Sequence, residues 1–413
     1  MLRLARGAWR WRFLAWDWLP FDRLSPAGQG LTSRPLNPET QGVLLVAEVM
    51  PDATFRYRVD QKREMLMLLG VPCTIIDWRE SRRIERLLDD HAVIVFYRLP
   101  LVPSMRRVMR AASKVGVPTY WEVDDLIHDP TRFEEHDAFA RMPWMKRFAH
   151  RFLAAWYRRF ARACNGAIAS TDVLASELHA ATGRDVHVIE NAVDQATQRL
   201  AERLVTTRDA PSPSAGDDAG TMTPDRFTII YGSGSATHDH DIREASDALA
   251  SFLEDHPKAH LQVVGPLQLT DALAAREDQV EQLPMLSFDA YLALLAEADV
   301  AIAPLADSTF NDAKSAIKVL EAAIVGVPTI ASPRAAYRSV IDHGVTGWLA
   351  DDVVSWRTAL EACARDAMQR RAMGHAVRER VLQHHTTEVV AHAQVAPWLT
   401  SATRRRRTFP DQA

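Results

Sequence analysis

Three consecutive stretches decide the fold: Val300-Ala-Ile-Ala-Pro304, then Asn311-Asp-Ala-Lys-Ser-Ala-Ile-Lys-Val-Leu-Glu-Ala-Ala-Ile-Val-Gly-Val-Pro328, then Thr329-Ile-Ala331. The outer two are short, continuous and apolar, the pattern of strands buried on both faces. Residues 314–324 between them read as a helix. Ile317, Leu320 and Ile324 form its apolar face, while Lys314, Lys318 and Glu321 fall at i, i+4 and i+7 on one polar face. Gly326 caps that helix and Pro328 leads into the next strand. Strand, helix and strand in this order build a parallel sheet.

The same grammar extends in both directions. Downstream of residue 226 it gives strands at 227–231 and 260–264, helices at 239–254 and about 288–296, and further helices to about 385. Upstream it gives strands at 42–48, 71–76, 92–96, 117–121, 166–170 and 186–189, separated by helices at 61–69, 104–115, about 133–162 and 171–182. Residues 210–220 are poor in apolar bulk and rich in Pro, Ser, Gly and Asp, which marks a linker. The expected fold class is α/β: two doubly wound Rossmann-type domains, 41–204 and 226–385, facing each other across a cleft. A basic aromatic extension (1–40), a flexible linker (205–225) and a C-terminal helix with a basic tail (386–413) complete the division. Ligands of such sheets sit outside the carboxyl ends of the strands.

Composition narrows the function. Lys and Arg number 49 against 53 Asp and Glu in 413 residues, a net charge of −4, so no polycation is present to attract nucleic acid. The three cysteines, Cys73, Cys164 and Cys363, are far apart and lack metal-ligand spacing, which fits a reducing cytoplasm. No run approaches ~18 apolar residues, so no spanning helix is expected. Two basic, aromatic stretches nevertheless suggest a membrane surface. The first 18 residues carry Arg3, Arg6, Arg10 and Arg12 with Trp9, Trp11, Trp16 and Trp18, and residues 142–162 form a basic amphipathic helix. The rival readings are docking onto a partner for the first, and an ordinary domain helix for the second.

The chemistry concentrates in three places. Lys314 and Lys318 at a helix N-terminus suit a diphosphate, and Glu321 suits a pair of ribose hydroxyls; a solvated Lys/Glu face is the alternative. The turn Gly232-Ser233-Gly234-Ser235, running on to His238, follows a strand and offers close backbone approach, hydroxyls and amides to a phosphate. Its His-Asp-His-Asp continuation, 238–241, reads as a metal site or as an N-cap. In the first domain Glu122-Val-Asp124-Asp125-Leu-Ile-His128 follows a strand, so Asp124 and His128 can face the cleft; an N-cap by Asp124 or Asp125 is the alternative. Asn191 and Asp194 read as turn formers.

Taken together, the Lys-x-x-x-Lys-x-x-Glu-Ala helix followed by Gly-Val-Pro, the Gly/Ser turn and the two-domain layout resemble the GT-B glycosyltransferases, specifically the large retaining family 4 group. The spelling Asn311-x-x-Lys314-Ser315-x-x-Lys318 is similar to that of a subgroup among bacterial surface-polysaccharide transferases. The resemblance implies transfer of a sugar from a nucleoside diphosphate sugar to a glycan or lipid-linked acceptor, with retention and with no metal or other cofactor. It implies that Glu321 holds the ribose and that Lys314 and Lys318 stabilise the leaving diphosphate. It makes Asp124 acceptor-facing. The stretch Phe55-Arg56-Tyr57-Arg58-Val59 resembles an opening segment of this subgroup and lends Arg58 a reach to a phosphate, against a plain surface arginine. One departure stands out: Ala313 occupies the position of the family's first glutamate, which leaves the donor-sugar contacts to Asn311, Asp312 and Lys314. The expected setting is cytoplasmic, on the inner face of the cytoplasmic membrane. Two other readings stay open: a nucleotide-sugar epimerase on the same fold, and a non-catalytic carbohydrate-binding or scaffold subunit.

Overall fold

The computed structural model describes residues 41–49, 53–131, 142–209, 226–234 and 240–404. The extension 1–40, most of the expected linker, Ser235, His238 and the basic tail beyond Arg404 lie outside them.

Two six-stranded sheets form, each with parallel pairing throughout. The first contains β1 (Val43–Ala47), β2 (Cys73–Asp77), β3 (Val93–Tyr97), β4 (Thr119–Val123), β5 (Gly166–Ala169) and β6 (Val186–Val188), in the order β2-β1-β3-β4-β5-β6. The second contains β7 (Phe227–Gly232), β8 (Ala259–Val264), β9 (Val280–Leu283), β10 (Val300–Ala303), β11 (Thr329–Ala331) and β12 (Gly347–Leu349), in the order β12-β11-β10-β7-β8-β9. The inner strands are buried along their whole length, as their uninterrupted apolar runs require. Strand order reverses between β1 and β3 in one sheet and between β7 and β10 in the other. Such switch points open the ligand crevice of a doubly wound sheet. The segments leaving β1 and β10 therefore carry the residues of interest.

The division between domains differs from the expected one. Residues 195–209, which straddle the start of the expected linker, form the helix Gln195–Asp209. Its Ala201 joins the apolar core of the second domain, and Arg208 donates 3.0 Å to the Val325 carbonyl. The chain thus crosses to the second domain near Val193. It crosses back near Thr386, where the two segments pair through an isolated bridge. The helices beyond place Val390, Val395, Trp398 and Leu399 in the same core cluster as Val43, Tyr120 and Ile168 of the first sheet.

The helix expected at 314–324 is Ile317–Ile324, preceded by the short helix Thr309–Asp312 that Ser308 caps. The intervening turn is held by the first domain. Thr171 donates 2.9 Å to the Ala313 carbonyl, and Asn191 donates 2.8 Å to Ser315 Oγ. These bonds replace the helical ones that a continuous reading assumes. Gly326 ends the helix with φ +71°, a conformation that favours glycine. The helix expected from about 133 is described as Trp144–Ala163.

Candidate functional site

The site is built where Ile317–Ile324 begins, beside the carboxyl ends of β7 and β10. Ala316 at its N-cap supplies no side-chain cap, so the first amides of the helix are left for another acceptor. Lys318 reaches over the Tyr231 ring, with Nζ 4.7 Å from the centroid. That ammonium is buried and has no hydrogen-bond partner. Burial, and then the neighbouring charge of Lys314, lower its pKa to about 8. One turn along the same face, Glu321 accepts a short hydrogen bond from the Tyr57 hydroxyl of the first domain. Burial raises the Glu321 carboxyl to about 6, against the pull of Tyr57, Lys318 and Arg56. A desolvated cation and a desolvated carboxylate at i and i+3, where the first domain's Tyr57 meets the helix, form a site primed for a ligand that carries both negative charge and hydroxyl groups.

The two lysines take different roles. Lys314 Nζ lies 3.2 Å from Asp241 Oδ2, a wholly buried carboxylate, and is not on the helix with Lys318. Asp241 also accepts from Asn311 Nδ2 at 2.9 Å and from the Ala306 amide at 3.2 Å. Asn311 donates a second bond, 2.8 Å, to the Ala306 carbonyl. Asn311 and Lys314 thus pin the loop after β10 to the start of the helix after β7, and Lys318 is the cation left for a ligand. Asp312 sits 3.6 Å from Arg334, which also pairs with Asp307. Ala313 is buried in the apolar cluster that contains Leu126 and Leu174 of the first domain, which accounts for a small apolar residue where the family resemblance places a glutamate.

In the Gly/Ser turn, Gly232 makes room for the Tyr291 hydroxyl, which a Cβ there would crowd. Ser233 is fully buried, its amide bonded to the Val264 carbonyl and its hydroxyl to the Pro266 carbonyl at 2.5 Å. It shapes the turn and does not present its hydroxyl to the cleft. Gly234 follows with φ +69°. The metal reading of 238–241 loses Asp241 to its pairing with Lys314. Among the described residues no group of three or more His, Cys, Asp and Glu side chains comes together as a metal site.

On the first-domain side, three expectations change. Arg58 is neither exposed nor open to a phosphate. Its guanidinium is buried, 2.6 Å from Glu122, and donates 2.8 Å bonds to the Ile189 carbonyl and Asn191 Oδ1. Lys62 joins the same carboxylate at 3.0 Å. Since Asn191 in turn holds Ser315, Arg58 acts on the second domain through a relay of contacts. His128 is wholly buried, edge-on to Trp121, and its pKa is lowered by burial to about 4; it packs in the core and does not face the cleft. Asp124 lies at the carboxyl end of β4, but its oxygens are engaged by the Tyr97 hydroxyl, 3.0 Å from each, and by Arg98. Burial raises its carboxyl in spite of Arg98. Arg98 spans Asp124 and Asp125 from a left-handed backbone, φ 49°, which costs a non-glycine residue about 1 kcal/mol.

Tyr57, Asp241, Arg98 and Arg334 are site residues that sequence reasoning passed over. Tyr57 and Asp241 lay inside stretches singled out for neighbouring residues. Nothing in sequence marked Arg98 or Arg334.

The geometry defines a class: two Rossmann-type domains with a basic, carboxylate-bearing helix N-terminus at the switch point of the second. Residues 228–366 match the family model described as glycosyl transferases group 1. No curated protein sequence matches the chain. Solved structures do. HepE from Anabaena, in complex with UDP and glucose, superposes with a TM-score of 0.58 at 14% identity, over 87% of this chain and 99% of that one. A glycosyltransferase from Rickettsia africae gives 0.59 at 11% identity, over 87% and 98%. Sucrose-phosphate synthase from Thermosynechococcus elongatus gives 0.56 at 14%, over 87% and 99%. The chain therefore has the two-domain GT-B fold of these structures, and its residues 228–366 match the glycosyl transferases group 1 model.

Proposed function

We propose that the protein is a glycosyltransferase that takes a sugar from a nucleoside diphosphate sugar and passes it, with retained anomeric configuration, to a glycan or lipid-linked acceptor. The observation that carries this reading is the buried, unpartnered Lys318 ammonium one turn from Glu321 on an uncapped helix N-terminus within the matched domain. Lys318 and the helix amides would meet the diphosphate as its charge develops on departure of the sugar, where preorganised donors act most strongly. Glu321 would accept from the ribose. With a fixed cation and a helix dipole at the leaving group, the reaction is expected to run without a bound metal.

The acceptor side follows from the first domain. The helix Trp144–Ala163 buries Trp156 and Phe160 in the core but leaves Trp144, Met145 and Phe148 exposed at its start, among Lys146, Arg147 and Arg151. Aromatic and cationic side chains together on one helix end suit an anionic headgroup layer, which supports a lipid-linked acceptor. No helix among the described residues is long and apolar enough to cross a membrane.

A binding screen of UDP-, GDP- and ADP-sugars, followed by anomeric analysis of the product from the tightest donor, tests the reading. A retained anomer formed in the presence of EDTA supports it. An isomerised sugar nucleotide formed without acceptor would replace it with an epimerase.

A further inference from the structure

We propose that Tyr57 is a positioning residue of the donor site, contributed by the opposite domain: its hydroxyl, donated to Glu321 Oε1 across the cleft, fixes the carboxylate that takes the ribose. The inference rests on the reading of Glu321 given above.

Tyr57 lies on a single π-helical turn, Arg56–Asp60, that follows β1 at the switch point of the first sheet. Isolated π turns of this kind gather at functional positions. Its neighbours anchor it from both sides. Arg56 donates 2.7 Å to Thr197 and 3.1 Å to Asp194, and its guanidinium stacks 3.7 Å from the Phe288 ring centroid in the second domain. Arg58 is tied to Glu122, Ile189 and Asn191. A tyrosine held between two such anchors loses little freedom when its hydroxyl engages Glu321.

The titratable groups facing Glu321 are Tyr57 and Arg56 from the first domain, Lys318 from its own helix, Tyr291 from Phe288–Glu297 and Tyr337 from Ala335–Val340. Of these, Tyr57 is the one that donates to it. The bond favours the ionised carboxylate, which burial otherwise disfavours. It occupies Oε1 and leaves Oε2 to a ribose hydroxyl. Because the donor of that bond belongs to the first domain, the second domain grips a nucleotide fully only while the two domains are closed on each other.

Isothermal titration of the full chain with UDP, GDP and ADP from pH 5 to 9 tests this, using Tyr57→Phe, Glu321→Gln and the double variant, with melting curves to verify folding. Tyr57→Phe is expected to weaken the nucleotide that binds by about tenfold at pH 7, the value of one hydrogen bond to a charged group. It should also move the acidic limb of the binding profile to higher pH, which a general loosening of the fold would not do. In the Glu321→Gln background the Tyr57 substitution should add nothing. Unchanged or tighter binding by a folded Tyr57→Phe protein, with an unmoved acidic limb and a weakened Glu321→Gln, overturns the role of Tyr57 and leaves the ribose contact standing. Wild-type binding by Glu321→Gln overturns both.

Discussion

Lys314 Nζ and Asp241 Oδ2 stand 3.2 Å apart, and the carboxylate has no exposure to solvent. Asp241 also serves Asn311 and the Ala306 amide, so three donors depend on one buried anion. Removing it leaves a cation without its partner, which in buried pairs costs about 3–5 kcal/mol. Asp241→Ala is therefore expected to lower the melting temperature by roughly 5–10 °C. A melt within 2 °C of wild type would show that the pair contributes little to the fold.

The opposite sign is expected at Lys318 and Glu321. Glu321 has its folded pKa raised to about 6, so its charge costs stability above pH 6 and the cost disappears as pH falls through 6 to 4.5. Lys318 has its folded pKa lowered to about 8, so its charge costs stability below pH 8 and the cost disappears as pH rises from 8 to 10.5. Between these limits both desolvated charges oppose folding, Glu321 by on the order of 2 kcal/mol and Lys318 by on the order of 3 kcal/mol. Lys318→Met and Glu321→Gln should raise the melting temperature by a few degrees at pH 7 while abolishing or sharply reducing sugar transfer. Differential scanning fluorimetry beside a turnover assay measures both.

On the proposed reading, donor binding needs Glu321 ionised and Lys318 protonated. Affinity for the donor nucleotide should accordingly rise through about pH 6, level off, and fall through about pH 8. Lys318→Arg, which stays charged, should flatten the alkaline limb; a limb near 8 that persists in that variant assigns it to another group.

Gly374 packs against the turn that ends Ile317–Ile324, and a Cβ there would overlap the Gly326 carbonyl. The carbonyl belongs to a left-handed turn and has little room to yield. Gly374→Ala should cost about 1–3 kcal/mol, as overpacking does, and should lower turnover by displacing Lys318. Urea denaturation and a transfer assay on the same preparation check the two effects.

Sedimentation with vesicles containing phosphatidylglycerol tests the acceptor side. Replacing Trp144 and Phe148 together by Ser should abolish co-sedimentation without altering the binding of free nucleotide, since both residues are exposed at one end of Trp144–Ala163, away from the residues that contact Lys318 and Glu321. Raising the salt should weaken co-sedimentation of the unsubstituted protein, as screening of Lys146 and Arg147 requires.

The inner strands of both sheets were legible because strands covered on both faces are continuous apolar runs, as in Val43–Ala47 and Val300–Ala303. β9 was not: Glu281 and Gln282 are exposed on an edge strand, which breaks the pattern. β12, a three-residue edge strand, is too short to leave one. That Lys318 and Glu321 share one helix was readable from their spacing. Lys314 was misplaced onto that helix because Thr171 and Asn191, more than 120 positions earlier, hold the turn before it. His128 looked like a cleft residue only because sequence does not show Trp121 closing over it. Tyr57 acquires its role from a carboxylate 264 positions away, a relation that no local pattern encodes.

The return of the chain to the first domain bears on its synthesis. Trp398 and Leu399 fill the core around Tyr120 and Ile168, so the domain translated first cannot complete its interior until almost the last described residue has left the ribosome. The usual order, in which the N-terminal domain of a nascent chain finishes folding before its successor, is closed to this protein. Its first sheet must wait with an uncovered apolar face while the second domain is made, which is an interval in which a chaperone would find its substrate.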